Sequence, residues 1–130
     1  MPTRPFYYKA TRSFRVSVYP EYLPDDSDES HGRFVFAYSV RIENCSHDTV
    51  QLMTRHWDIN DSIGETYTVD GDGVVGQQPV LQPGDVHEYR SFCVFKSPQG
   101  TMGGYYSFMQ SNGELFDVMI PTFRLAVFPD

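Results

Sequence analysis

At 130 residues, with cysteine only at Cys45 and Cys93, the chain fits a single domain that needs no disulfide staple and buries about two-thirds of the surface its unfolded form exposes. A formal net charge of −7 argues against binding to a nucleic-acid backbone or an anionic membrane, since both reward positive surface. Ten phenylalanines and nine tyrosines, punctuated by ten glycines and nine prolines, favour short strands over helices.

Residues 1–13 contain no apolar leader and read as a flexible N-terminal extension. No stretch approaches the length of a membrane span, so a cytoplasmic location is expected. Phe14, Val16 and Val18 alternate with Arg15 and Ser17, the period of a strand with one buried face, and Pro20 is expected to end it. Residues 21–33 are acidic and contain Pro24, which predicts a solvated, mobile loop. Phe34, Phe36, Tyr38, Val40 and Ile42 then share one face of a central strand. After the Asn44–Asp48 turn cluster, the buried parity changes from even (Val50, Leu52) to odd (Trp57, Ile59). Such a slip predicts a β-bulge near Thr54–His56.

A turn at Asn60–Gly64 leads into Thr66–Val69, and Gln82–Asp85 forms a Pro-Gly turn before the strand His87–Phe95. Residues 97–104, SPQGTMGG, read as a glycine-rich connection. Ser111-Asn112-Gly113 between two β-like runs is a strong hairpin signal. Pro121 is expected to interrupt, leaving Phe123, Leu125 and Val127 as a last strand. About seven or eight short strands without a helical period describe an all-β chain folded as an antiparallel β-sandwich. Trp57 is expected to fill the core between its sheets.

Gly71, Gly73 and Gly76 have the GxGxxG spacing of a pyrophosphate-binding turn. That chemistry uses the N–H groups of a following helix, yet Pro79 and Pro83-Gly84 leave no room for one. Arg55 follows the expected bulge and precedes the sole tryptophan. It is read as a structural ion pair or, if the glycine-loop amides form a nest, as the cation completing an anion site with Gly71, Gly73 and Gly76. His56 and Asp58 share a strand face, but two ligands specify no metal site. No nucleophile, paired-acid or metal-ligand constellation stands out, so no catalytic residue, metal or cofactor is assigned. The aromatic stretch around Tyr105 and Tyr106 is a candidate protein-contact surface.

From Phe14 onward the chain resembles the bacterial ApaG family. The resemblance is carried by FAYSVRIEN (36–44), VQLMTRHWDIND (50–61), VDGDGVVGQQPVLQPG (69–84), SPQGTMGGYY (97–106) and IPTFRL (120–125). It implies one ApaG domain with a fibronectin type III-like, immunoglobulin-like sandwich. It also implies an association with cobalt resistance, magnesium efflux and dinucleoside polyphosphate metabolism, and a phosphate-binding role for Gly71, Gly73 and Gly76. Similar domains fused to F-box and polymerase-interacting proteins imply protein recognition. The resulting expectation is a non-enzymatic module that binds a protein partner, with a small-ligand sensor for pyrophosphate, nucleotide or a divalent cation as the alternative. Sandwich edges also allow a homodimer.

Overall fold

The computed structural model describes residues 6–128. These residues form nine strands: β1 (Tyr7–Thr11), β2 (Phe14–Tyr22), β3 (Phe34–Asn44), β4 (Val50–Asp61), β5 (Glu65–Asp72), β6 (Val80–Leu81), β7 (Val86–Phe95), β8 (Gln99–Met109) and β9 (Leu115–Ala126). One sheet runs β1-β2-β3-β7. The other runs β5-β4-β8-β9, with β6 beside the start of β4, and every pairing is antiparallel.

Alternation builds the core between the sheets. Val16, Val18, Phe36, Val40 and Ile42 on one sheet and Leu52, Phe108, Val118 and Leu125 on the other are almost fully excluded from solvent. Trp57 sits among them, crossing Tyr38 edge-on at 5.4 Å and Phe123 near-perpendicularly at 6.0 Å. Pairs of this kind add about 0.5–1.5 kcal/mol beyond the area they bury.

The phase change in β4 is a bulge, displaced slightly from its expected place. Leu52 pairs with Phe108 and Thr54 with Ser107, so Met53 is the extra residue. Leu52 and Trp57 both therefore point inward despite their opposite parity.

Several expectations are corrected. Tyr7–Thr11 within the expected N-terminal extension is a strand, paired with Phe14–Val18. β2 continues through Pro20 to Tyr22, and Pro20 lies beyond Val18, the last β2 residue paired with β1, so among the described residues its missing N–H breaks no bond to β1. Gly100, Gly103 and Gly104 lie inside β8 rather than in a connection. They are required by close approach, since a Cβ at Gly104 would stand 1.9 Å from the carbonyl oxygen of His56. Finally, Pro121 does not split the last strand. Met102 pairs with Phe123 and Gly104 with Ile120, so Pro121 falls within a bulge, and its missing N–H is accommodated there.

Residues 21–33 are more ordered than a mobile loop. Glu21 and Tyr22 belong to β2, and two single 3₁₀ turns follow at Pro24–Asp26 and Glu29–His31. An antiparallel bridge from Asp28 to Arg33 closes the segment, and the Val35 N–H donates to Ser27 Oγ at 2.8 Å.

Candidate functional site

The segment joining β5 to β6 is built by its glycines. The N–H of Val74 donates to the Gln77 carbonyl at 2.8 Å and the N–H of Gln77 returns to Val74 at 3.0 Å, closing a tight hairpin with Val75 and Gly76 at its tip. Both tip residues have positive φ, +47° for Val75 and +75° for Gly76. Gly73 also has φ of +63°, and a Cβ there would stand 2.1 Å from the Gln77 carbonyl oxygen. Val74 is buried and closes this side of the core, whereas Val75 is 62% exposed.

The bulge in β4 anchors this loop. The Met53 carbonyl accepts the Gly73 N–H at 2.9 Å and the Gln78 side-chain amide at 2.9 Å. An extra residue in a ladder frees backbone groups, and here the freed carbonyl holds the loop. Gly71 lies opposite Arg55 in the β4–β5 ladder. The guanidinium occupies the space a Gly71 side chain would need, with its carbon 2.8 Å from an added Cβ. Nη1 of Arg55 donates to the carbonyls of Asp72 and Gly73, each at 2.9 Å.

Arg55 and the three glycines are thus brought together, as the sequence suggested, but without a following helix. The amides of Gly73, Val74 and Gln77 are bonded within the protein, which leaves only the Val75 and Gly76 N–H groups at the tip of the loop without a backbone partner among the described residues. Among the described residues no carboxylate pairs with Arg55, so the expected structural ion pair is replaced by bonds to loop carbonyls. Gly71 makes room for the guanidinium, Gly73 for the loop backbone, and Gly76 turns the tip.

Beside this loop lies a cavity of about 390 Å³. Its lining comes from Asp72 and Val74–Gly76 on one wall, Tyr89–Phe92 of β7 on the other, and Tyr38, Arg55 and Trp57 between them. Beneath it the hydroxyls of Tyr89 and Tyr106 form a short hydrogen bond. Burial holds the Tyr38, Tyr89 and Tyr106 hydroxyls above their ordinary pKa, while the nearby charge of Arg55 partly opposes the rise. These phenols are neutral near pH 7. Cys93, on the inward face of β7, is pushed by burial up to about 12 and is not a thiolate at neutral pH.

Tyr106 is corrected as a contact residue: it is fully buried, its ring packed near Trp57 and its hydroxyl against Tyr89. In β8 the inward face falls on even positions, which selects Tyr106 for the core and leaves Tyr105 outside. Tyr105 stacks on His56 at 4.8 Å between centroids. His56 and Asp58 do share a face, and Asp70 of β5 joins them. The His56 ring nitrogens meet carboxylates on both sides, Nδ1 to Asp70 at 2.7 Å and Nε2 to Asp58 at 3.0 Å. These bonds raise the His56 pKa, Asp70 contributing most. Among the described residues no group of three His, Cys, Asp or Glu side chains is arranged as a metal site.

Sequence reasoning missed the β7 wall and Val75. Alternation along His87–Phe95 could have placed Tyr89, Ser91 and Cys93 inward, but nothing in the sequence showed that this strand ends a sheet. Val75 carried no signal, because a β-branched residue is the opposite of what a positive φ calls for.

Fold and site together define a small two-sheet sandwich with one side left open beneath a glycine loop. The profile of the ApaG domain matches residues 24–110, and the chain belongs to the ApaG family. Protein ApaG of Rhodospirillum centenum is 50% identical over 119 residues, 92% of each chain, and that of Mesorhizobium japonicum is 45% identical over the same share. The crystal structure of a Bordetella pertussis protein solved under the name ApaA superposes with a TM-score of 0.84 at 45% identity, covering 96% of this chain and 97% of that one. The C-terminal domain of wzt shares the fold alone, at 9% identity and a TM-score of 0.57 over 96% of this chain and 79% of its own. No helix of the described residues is long and apolar enough to cross a membrane.

Proposed function

We propose that this ApaG protein is a non-enzymatic, cytoplasmic binding module that recognises a protein partner with the open side of its sandwich. One observation carries the reading. The edges β5 and β7 are unpaired among the described residues; exposed Val75 of the loop and Phe92 of β7 line the cavity, and Tyr67 and Val69 of β5 and Val94 of β7 add exposed apolar surface along the same two strands. Unpaired edges with apolar side chains are suited to recognition by strand addition. The chemistry of the cavity supports a binding role over catalysis, since its phenols are neutral and the nearby Cys93 is an unreactive thiol.

Affinity capture from a cell extract compares the wild type with Phe92→Lys/Val94→Lys and with Tyr8→Lys, a control on β1. Proteins retained by the wild type and the control are expected to be lost by the edge variant. Equal retention by all three removes the open side as the recognition surface.

A second reading, a sensor for pyrophosphate or nucleotide, is favoured by the placement of Arg55 and Gly76 on one cavity. It stands second because the amides of Gly73, Val74 and Gln77 are taken up internally, which leaves few loop N–H groups for an anion. Thermal-shift titration with pyrophosphate and mononucleotides checks it, since ligand at a hundred times its Kd stabilises a fold by about 2.7 kcal/mol.

A further inference from the structure

We infer that the cavity between β7 and the glycine loop is a slot for an extended peptide, which pairs with the free edge of β7 at Tyr89–Phe92 and presents a carboxylate to Arg55. The inference rests on the reading of the open side as a recognition surface and names the ligand chemistry of that surface.

The first support is the wall formed by β7. Its pairing with β3 occupies one edge of Tyr89–Phe92, through Val40, Ser39, Tyr38 and Ala37, and among the described residues no strand occupies the other. In an antiparallel strand alternate residues turn their N–H and C=O outward, so the free edge offers backbone donors and acceptors along the slot. The opposite wall is fixed before any ligand arrives, because the Val74–Gln77 hairpin is closed by two backbone bonds and tied to the bulge through Met53. Fixing a binding loop in advance lowers the entropy cost of association.

Charge supplies the second support. A guanidinium has five N–H donors. Nη1 of Arg55 serves the Asp72 and Gly73 carbonyls, while Nε and Nη2 have no acceptor among the described residues. The Asp72 carboxylate is exposed, and the other cation on the lining, Arg90, is paired with Glu21 at 3.3 Å. Arg55 is therefore a half-buried planar cation held in place by carbonyls, with donors to spare, which suits a carboxylate fork. Aromatic Trp57 and Tyr38 and apolar Val74, Val75 and Phe92 surround it, and these fit a carboxylate borne on apolar peptide better than a bare polyphosphate.

Strain is the third support. Val75 is β-branched, exposed and held at a φ of +47°, a conformation that glycine or asparagine adopts at lower cost. No core contact explains an apolar side chain there. A ligand passing along the slot does.

The carboxylate has two sources, a peptide C-terminus or an internal Asp or Glu, and the test separates them. Random heptapeptides are measured by fluorescence polarisation in three forms: free C-terminal acid, C-terminal amide with one internal Asp or Glu, and amide without any acid. Acid-bearing peptides of one form are expected to bind at least about tenfold tighter than the uncharged amides, the ratio that one charge-assisted hydrogen bond provides. Amide signals of Tyr89–Phe92 should shift on binding. Arg55→Lys keeps the charge but loses the fork, and Gly71→Ala displaces the guanidinium without removing it. Each should weaken binding about tenfold while retaining the native spectrum. Val75→Gly should raise the melting temperature yet lower peptide affinity, a split that a purely structural role for Val75 does not produce.

If acid-bearing peptides bind both Arg55→Lys and Gly71→Ala as tightly as wild type, but not Phe92→Lys, the open side recognises peptides and Arg55 does not read a carboxylate. The inference then fails and the proposed function stands. Failure of every peptide form to bind overturns the inference as well, and the capture experiment on the edge variant decides the proposed function separately.

Discussion

The two long sides of the sandwich are finished in different ways. On one, β9 of the second sheet packs against β1 and β2 of the first, and the Met119 N–H donates to the Thr11 hydroxyl at 3.1 Å across the join. The aromatic rings of Tyr7 and Phe123 meet beneath it at 6.2 Å. On the other side β5 and β7 end their sheets without strand partners among the described residues; Val74 and the guanidinium of Arg55 lie at one end of the gap, and Lys96 spans it at the other, its Nζ 2.7 Å from Glu65 of β5. Around this gap the phenols of Tyr38, Tyr89 and Tyr106 and the half-buried guanidinium of Arg55 stand beside buried Trp57 and Val74. Hydroxyls and a guanidinium tolerate contact with water that an aliphatic core would not, so this side can remain open at little cost. The closed side is joined by strand-to-strand packing and a cross-sheet hydrogen bond, whereas the open side leaves Val75 exposed at a φ of +47° beside a cavity.

The sharpest way to test this contrast is Phe123→Ala. Phe123 is fully buried and touches Tyr7, Tyr38 and Trp57, so truncation should cost about 3–5 kcal/mol in a urea melt. A loss below about 1 kcal/mol would mean that the closed side is not the main source of stability. Gly73→Ala should cost about 1–3 kcal/mol, because the added Cβ meets the Gln77 carbonyl and φ is positive. Hydrogen exchange should rise first at Val74 and Gln77, whose mutual bonds close the loop, and uniform acceleration across both sheets would contradict a local role.

Val75→Gly should act in the opposite direction and stabilise by about 1 kcal/mol, as relief from a left-handed conformation provides, offset in part by glycine's entropy. A destabilised variant would show that Val75 has a packing role. The smallest mutational effect belongs to Phe92→Ser, expected within about 0.5 kcal/mol because the ring is 57% exposed.

A pH profile sharpens the comparison further, since His56 fastens the open-side edge strand β5 to β4. Only the protonated imidazolium donates to both Asp70 and Asp58, and those bonds raise its folded pKa above the ordinary 6.5. A raised folded pKa means that the stabilisation is fully present below the unfolded value and is lost as pH rises through the folded one. The melting-temperature difference between wild type and His56→Gln should therefore shrink above about pH 6.5. A difference that grows with pH would show that the neutral ring is the stabilising form.

Much of this architecture is legible in the chain. Alternation in Phe34–Ile42 located the central strand, Asn112-Gly113 located the last hairpin, and the parity change between Leu52 and Trp57 located the bulge to within a few residues. These signals are local, because the two-residue period of a strand and the positive φ of a turn act on neighbours in sequence. The ApaG motifs likewise pointed to the family. Arg55 and the glycines were legible as a cluster, but the roles of the glycines were not. A GxGxxG spacing is the same whether glycine makes room for a phosphate, as in a nucleotide turn, or for a guanidinium and a carbonyl, as at Gly71 and Gly73. Whether a tyrosine faces solvent or core was equally hidden in Tyr105-Tyr106, because both parities contained aromatic residues. The sequence by itself therefore determined the strand pattern, the bulge and the all-β class, since each follows from nearest-neighbour periodicity. Which strands became edges, which tyrosine was buried and what filled the space beneath Arg55 depend on contacts between residues distant in the chain, and only the packing of one sheet on the other decided them.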